Sequence, residues 1–235
     1  MTRVRSFHEL KFPVSARQHA VLQMLFQGLA VPDRNGCNGC YEVFSQYYDS
    51  HDFRFFNDKI NGEYIKTKVR LRFYRDENRR EWHSPGLEVK QRRGSLVTKF
   101  RLNLDSSQGD DCFGESSPDI RDLILANCHD SCIRDALAGI QLIPVVSLHY
   151  TRTAWQFCGI DGMRLTFDTR VSGLPAGRLP LDSLPELPVC SGSPGGIFEI
   201  KSYVLPPQAV IEKLIELDIR QQSFSKYAWA LQHKS

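Results

Sequence analysis

Apolar and polar residues alternate with a period of two over much of this chain, the spacing of strands with one buried face. The alternation predicts strands over Arg5 to Phe12, Tyr41 to Tyr48, Lys66 to Arg75, Leu87 to Arg93, Leu96 to Leu104, Val145 to Phe157, Met163 to Thr169 and Ile197 to Val204. Pro13 ends the first of them, and Asp49 to Asp52 breaks the second. A helical spacing takes over in three places. Ser15 caps a helix to about Leu29 with a stripe of Val21, Met24 and Leu25. Ser117-Pro118 starts a helical stretch to about Gly139, in one piece or two. Pro206-Pro207 starts a third, carrying Val210, Ile211, Leu214, Ile215 and Leu217. Phe53 to Glu63 reads as a short helical or irregular connection, and the chain ends in a short helical tail after Ser223 to Tyr227. Pro32 to Gly39, Asp76 to Gly86, the acidic Asp105 to Ser116 and Ser172 to Gly196, with five prolines and five glycines, read as loops.

Within the strands, charges recur two residues apart around an apolar residue. Glu9-Leu10-Lys11, Glu88-Val89-Lys90 and Glu199-Ile200-Lys201 share this form, and Arg70-Leu71-Arg72 and Arg164-Leu165-Thr166 extend it with arginines. Each pair aims its charges to one face and the intervening residue to the other. The ordinary arrangement would pack the apolar face inside and solvate the charges. Three helices with apolar stripes change that expectation, because they need an apolar surface to pack on. The outer face of a barrel would supply it, leaving the charges to line the interior. Cations enclosed in a dry barrel are costly, but a wet lumen holding a polyanion lowers that cost. A barrel of about eight strands has room for a slender ligand such as a phosphate chain, and lysine and arginine donors suit its oxygens.

Composition sharpens this picture in two respects. The 235 residues, 41% hydrophobic, suffice for one sizeable core, and residues 1–235 read as a single domain. Net charge is only +3, yet between Lys66 and Arg101 twelve basic residues stand against four acidic ones. Those basic residues alternate with an apolar face instead of sitting among exposed stacking aromatics, so no nucleic-acid partner is expected. Seven cysteines at irregular spacing, no apolar leader and no run of eighteen apolar residues point to a soluble cytoplasmic protein with no membrane segment. Cys37-Asn38-Gly39-Cys40 and Cys128-His129-Asp130-Ser131-Cys132 would make a zinc site only if the fold joined them; loop and helix cysteines are the simpler expectation.

Nine segments, in order from end to end, resemble the VTC domain, a polyphosphate-polymerase domain of the triphosphate tunnel metalloenzyme (CYTH-like) superfamily. They are His8 to Phe12, Val43 to Asp49, Lys68 to Arg72, Leu87 to Lys90, Val97 to Arg101, Tyr150 to Arg152, Met163 to Asp168, Phe198 to Lys201 and Phe224 to Tyr227. The resemblance implies an α+β fold: an antiparallel β-barrel tunnel with a charged lumen and helices packed on its outer face. It further implies that Lys11, Arg70, Arg72, Lys90, Lys99, Arg152, Arg164, Lys201 and Lys226 bind phosphate or nucleotide, with Tyr150 and Ser225 as hydrogen-bond donors. Arg70, Arg72, Lys90 and Lys201 would be catalytic, and Glu199 would hold Mn²⁺ or Mg²⁺, with Glu9 and Glu88 as further carboxylates for it.

The implied activity is transfer of the γ-phosphoryl group of ATP to a growing polyphosphate chain, which needs positioning and charge neutralisation more than covalent chemistry. A hydrolase of the same fold and a non-enzymatic polyphosphate-binding module are the alternatives. Hydrolytic members of the superfamily usually open with two glutamates before the lysine, and here the first position is Phe7. A carboxylate-poor, cation-rich lumen favours holding a polyanion over activating water. Asp168 is a further carboxylate, or a strand-end hydrogen-bonding residue. Eukaryotic relatives carry an inositol-phosphate-sensing domain and membrane segments outside this unit, so coupling of synthesis to membrane transport is not expected of these residues.

Overall fold

The computed structural model describes residues 8–75, 82–94, 96–105, 119–176 and 195–232. Nine strands form one antiparallel sheet: β1 (His8–Val14), β2 (Ala30–Pro32), β3 (Cys40–Asp49), β4 (Ile65–Arg75), β5 (His83–Arg93), β6 (Leu96–Asn103), β7 (Ile143–Phe157), β8 (Arg164–Pro175) and β9 (Gly196–Ser202). Among the described residues six helices accompany them: α1 (Ala16–Phe26), α2 (Arg54–Ile60), α3 (Ile120–Asn127), α4 (Ser131–Leu137), α5 (Gln208–Glu216) and α6 (Lys226–Gln232). The strand order is β1-β9-β8-β7-β3-β4-β5-β6, with β2 added at one end of β7. Although β1 and β5 lie far apart in that order, Glu9 on β1 accepts a hydrogen bond from Lys90 on β5 at 2.9 Å. The sheet therefore curls almost into a closed barrel, and charged side chains bridge the last seam.

The apolar residues between the charged pairs point outward, as the three helical stripes required. Leu71 and Val89 pack with Phe44, Val69 and Phe73 under Ile120, Ile124, Ile133 and Leu137 of α3 and α4. On the opposite flank Phe12, Leu165, Phe167, Phe198 and Ile200 pack under Leu22 and Phe26 of α1 and Val210 and Leu214 of α5. Burying a Leu, Ile or Phe side chain contributes about 1.5–3 kcal/mol, so these two shells stabilise the charged-face-in arrangement. A third cluster seats α6: Tyr227 stacks on Tyr47 at 5.0 Å, its hydroxyl donates to Asp49, and Trp229 and Ala230 pack with Val146, Leu148 and Val171.

Several expected boundaries move, each for a local reason. β1 runs through Pro13 to Val14, because β1 is an edge strand and the imino nitrogen owes no ladder bond there. Ser15 caps α1 as expected, in a capping box with Gln18. The helical stretch after residue 118 is two helices, broken at Cys128 and restarted by Asp130, whose side chain accepts from the Ile133 amide. Asp119 caps the first; Ser117 and Pro118 lie outside the described residues. β8 does not stop at Thr169 but continues to Pro175 past Arg170, whose φ of 52° marks a bulge that reverses the facing of residues 171–173. Most of the expected loops at 76–86, 105–116 and 172–196 fall outside the described residues. β2, which meets the span read as a loop only at Pro32, is three residues long and carries no periodicity to detect. Among the described residues no helix is long and apolar enough to cross a membrane.

Candidate functional site

The curled sheet encloses a cavity of about 1670 Å³. All fourteen residues expected at the site line it: Glu9, Lys11, Arg70, Arg72, Glu88, Lys90, Lys99, Tyr150, Arg152, Arg164, Glu199, Lys201, Ser225 and Lys226. Among the described residues, twelve lysines and arginines line the cavity against five aspartates and glutamates, with Asp168 paired to Arg152 and Lys226 beside them. Strand parity produces this: in register Glu9 faces Lys201, Lys11 faces Glu199, Arg164 faces Lys201, Arg70 faces Glu88 and Lys90 faces Lys99. Lys226 and Ser225 come instead from the chain entering α6, held in place by the Tyr227 contacts.

Arginines and carboxylates in the cavity differ in how far they are neutralised. Arg152 donates to both oxygens of Asp168 at 2.6 and 2.7 Å, and Lys226 meets the same carboxylate at 2.5 Å. Arg70 donates to Glu88, which also accepts from Arg101 at 2.6 Å. Arg72 is different: it donates to the hydroxyls of Ser45 at 3.0 Å and Tyr150 at 3.1 Å, neutral groups that orient the guanidinium without cancelling its charge. The Tyr150 hydroxyl accepts there, so its own proton remains for a ligand. Lys68 donates to Ser225 Oγ at 2.9 Å. Burial, with Lys11 and Lys90 close by, pushes the Lys68 ammonium well below its ordinary range, the mark of a cation lacking counter-charge.

Glu199 is 3% exposed and has lysines around it: Lys11 at 3.3 Å, Lys226 at 3.4 Å and Lys201 at 3.5 Å. Against the opposing effect of burial, these lysines hold its carboxyl well below the usual range. Glu9 is likewise kept ionised, against burial, by Lys11, Lys201 and Lys90. Among the described residues no three His, Cys, Asp or Glu side chains gather as a preformed metal cage. The donor set does fit a divalent ion carried on phosphates. Mg²⁺ and its like take one or two carboxylates and fill the remaining positions with phosphate and water.

Sequence reasoning missed two kinds of residue that hold the site's arginines. Ser45 and Tyr47 orient Arg72 and Arg70, the latter through a 3.2 Å bond to the Tyr47 hydroxyl, but uncharged strand residues give no charge signal. Asp33, in the β2–β3 loop, accepts from Arg164 Nε at 2.9 Å across 131 positions of sequence, a contact no local pattern announces.

A family model of the VTC domain matches residues 6–233. The chain belongs to the VTC domain family. None of the curated proteins compared matches it. Solved structures similar to this VTC domain include HpAC1 of Hippeastrum, a candidate adenylyl cyclase with a dominant triphosphatase activity, at 15% identity and a TM-score of 0.55, covering 100% of this chain and 97% of that one. PH1819 of Pyrococcus horikoshii stands at 12% identity and 0.51, covering 96% and 98%. A candidate adenylate cyclase of Bacillus halodurans has 14% identity and 0.51, covering 94% and 96%. At these identities the likeness speaks to the fold, the triphosphate tunnel.

One property of this VTC domain's tunnel gives a pH prediction. Burial, with Arg152 and Lys11 nearby, brings the Lys201 ammonium down to about 8 in spite of Glu199 and Glu9. Because this lies below the unfolded value, the unfolded chain binds the extra proton between about pH 8 and 10.5. Stability should therefore rise with pH across that window. A bound polyanion favours the charged form instead. Tripolyphosphate affinity should fall as pH rises past about 8, by at most about tenfold per unit for one linked proton. Calorimetry at about pH 7 and about pH 9, on either side of that value, would show the fall, and Lys201→Arg, which stays charged, should make it shallower.

Proposed function

We propose that this VTC domain, acting as one unit over its 235 residues, extends inorganic polyphosphate by transferring the γ-phosphoryl group of ATP inside the tunnel. The observation that carries this reading is the excess of lysines and arginines over carboxylates among the described residues that face into one cavity, with Arg72 oriented by neutral hydroxyls. A long polyanion supplies what that surface lacks. Arg70, Arg72, Lys90 and Lys201 would grip the reacting phosphates, while Lys11, Lys99, Arg152, Arg164, Lys226, Tyr150 and Ser225 hold the chains in line.

The terminal oxygen of the acceptor chain is already anionic. It forms the new P–O bond at the γ-phosphorus as the bond to the β-phosphate oxygen breaks, and ADP leaves with that electron pair. No general base is needed. The work left to the protein is alignment and screening of charge between two anions. Glu199, with Glu9 nearby, would hold a Mn²⁺ or Mg²⁺ bound to the donor phosphates, and that ion would supply further neutralisation of the transferring group.

Hydrolysis is the second reading, favoured by the triphosphatase activity of the Hippeastrum protein. Against it stands the small number of carboxylates lining the cavity, five against twelve lysines and arginines among the described residues, where hydrolysis wants several to hold metal and orient a water. Incubation of the purified chain with ATP and Mn²⁺, followed by a urea gel stained for polyphosphate and a parallel phosphate assay, separates the readings. A ladder that Glu199→Gln abolishes is expected. Free phosphate without a ladder would make the protein a hydrolase, and tight polyphosphate binding with neither product would make it a binding module.

A further inference from the structure

Cys37-Asn38-Gly39-Cys40 folds as a tight hairpin leading into β3. Cys37 and Cys40 oppose each other as an antiparallel bridge: the Cys40 amide donates to the Cys37 carbonyl at 2.8 Å, and the Cys37 amide to the Cys40 carbonyl at 3.1 Å. Between them Asn38 and Gly39 take φ of 49° and 75°, the pair of left-handed residues for which Asn-Gly is the favoured sequence in a two-residue hairpin. Directly opposed residues of such a pair present their side chains to one face. The two thiols are therefore neighbours by construction.

The hairpin is held as a unit. Gly36 has a φ of 76°, and a Cβ there would lie 2.2 Å from the Cys40 carbonyl oxygen; one on Gly39 would lie 2.4 Å from the Ala154 carbonyl oxygen. Both positions admit only glycine in this form. The Ala154 amide donates to the Gly39 carbonyl at 2.9 Å, and the Ala154 carbonyl accepts from the Asp33 amide at 2.9 Å. One residue of β7 thus ties the tip of the hairpin to the loop that carries Asp33. Tyr41 follows Cys40 directly. Asp33 and Tyr41 are the two groups that hold the Arg164 guanidinium, each at 2.9 Å.

Residues that exchange both hydrogen bonds stand about 5.5 Å apart at Cα, inside the range a disulfide spans. Their Cβ atoms, up to about 5.5 Å apart, are wider than the roughly 3.8 Å of a relaxed bridge. A bond between these sulfurs closes by drawing the hairpin together under strain, and a strained disulfide is readily reduced. The ring spans only residues 37–40, so it constrains the unfolded chain little. That geometry suits a bond that opens and closes better than a permanent staple. Both thiols are half-buried, within reach of a small disulfide.

We propose that Cys37 and Cys40 are an oxidation site, forming a reversible disulfide by exchange with a low-molecular-weight disulfide, and that its closing slackens the grip on Arg164 at the tunnel wall. One thiolate of the pair attacks a sulfur of glutathione disulfide and expels the first glutathione. The second attacks the protein sulfur of that mixed disulfide and expels the other. Two cysteine thiols become one S–S bond, one glutathione disulfide becomes two glutathiones, and the two protons pass to the leaving thiolates. Drawing Cys40 toward Cys37 carries Tyr41 with it and moves its hydroxyl off Arg164. This last consequence rests on the reading of the tunnel as a phosphate site; the disulfide does not.

The test treats the full chain with glutathione disulfide, blocks remaining thiols with iodoacetamide and digests with trypsin. The peptide Asn35–Arg54 carries these two cysteines and no other. It should lose two hydrogens and take up no iodoacetamide, and dithiothreitol should restore both thiols. Cys40→Ser should instead retain one glutathione on Cys37, since nothing is left to expel it. A parent peptide alkylated at both cysteines, or holding glutathione as the variant does, would overturn the site. Calorimetry with tripolyphosphate on the reduced and oxidised chain reads the consequence. The oxidised form should bind about fivefold more weakly, the loss of one hydrogen bond on Arg164, and a Cys37→Ser/Cys40→Ser variant should be indifferent to the oxidant. Equal affinity in the two forms of the parent, or the same loss in the double variant, would overturn the link to Arg164. Absence of tripolyphosphate binding in both forms would refute the tunnel reading and with it that link, while the disulfide, read by mass, stands.

Discussion

Arg72→Ala is expected to lower turnover by about two to three orders of magnitude while the protein stays folded. Arg72 is 7% exposed, and it donates to two hydroxyls. Burial works against its charge, yet the guanidinium remains protonated. A phosphate entering the tunnel therefore meets a cation already desolvated and aimed, with no ion pair to break first. Removing it leaves the Ser45 and Tyr150 hydroxyls each short of one partner, about 1 kcal/mol apiece, partly offset by the loss of a buried charge. Steady-state assays and a thermal melt on one preparation would check both halves. Arg70 is a poorer probe, since Arg70→Ala also removes one of the two arginines on Glu88.

Asp168→Asn should do the opposite, damaging the fold first. Asp168 is fully buried, with Arg152 on both oxygens and Lys226 on one. Against burial, these cations hold its carboxyl below the usual range. Neutralising it leaves two buried cations short of counter-charge, a loss of about 3–5 kcal/mol. A polyanion brings its own negative charge to that place. Tripolyphosphate should therefore raise the melting temperature of the variant more than that of the parent, through preferential binding to the folded state. A variant that melts with the parent, or gains no more from the ligand, would mean that Asp168 does not hold Arg152 and Lys226 in the tunnel.

These two residues also show what the sequence could and could not display. Arg70-Leu71-Arg72 and the three Glu-x-Lys pairs were legible because a period of two fixes which side chains share a face, and the helical stripes settled which face turns inward. The same parity sends Arg75 outward, where it pairs with Glu42 at 2.5 Å and lies 4.8 Å over the Trp82 ring. Asp168 carried the same parity as Arg164, but its partners come from β7 and from the start of α6, so its role is a tertiary fact. Asp33 was hidden more completely: the β2–β3 loop has no periodicity, and its contact is with an arginine distant in sequence. The continuation of β8 was hidden by its bulge at Arg170, after which the alternation resumes on the other parity.

If the charges facing inward grip a phosphate chain, inward and outward arginines of one strand must differ in what their loss does to binding. Arg72 and Arg75 test it directly: they lie three residues apart on one strand, carry the same charge and face opposite sides of the sheet. Titrating tripolyphosphate into Arg72→Ala and Arg75→Gln should give a loss of about a hundredfold for the first and a change within about twofold for the second. Equal losses in the two variants, or a larger one for Arg75→Gln, would contradict a ligand held inside the tunnel.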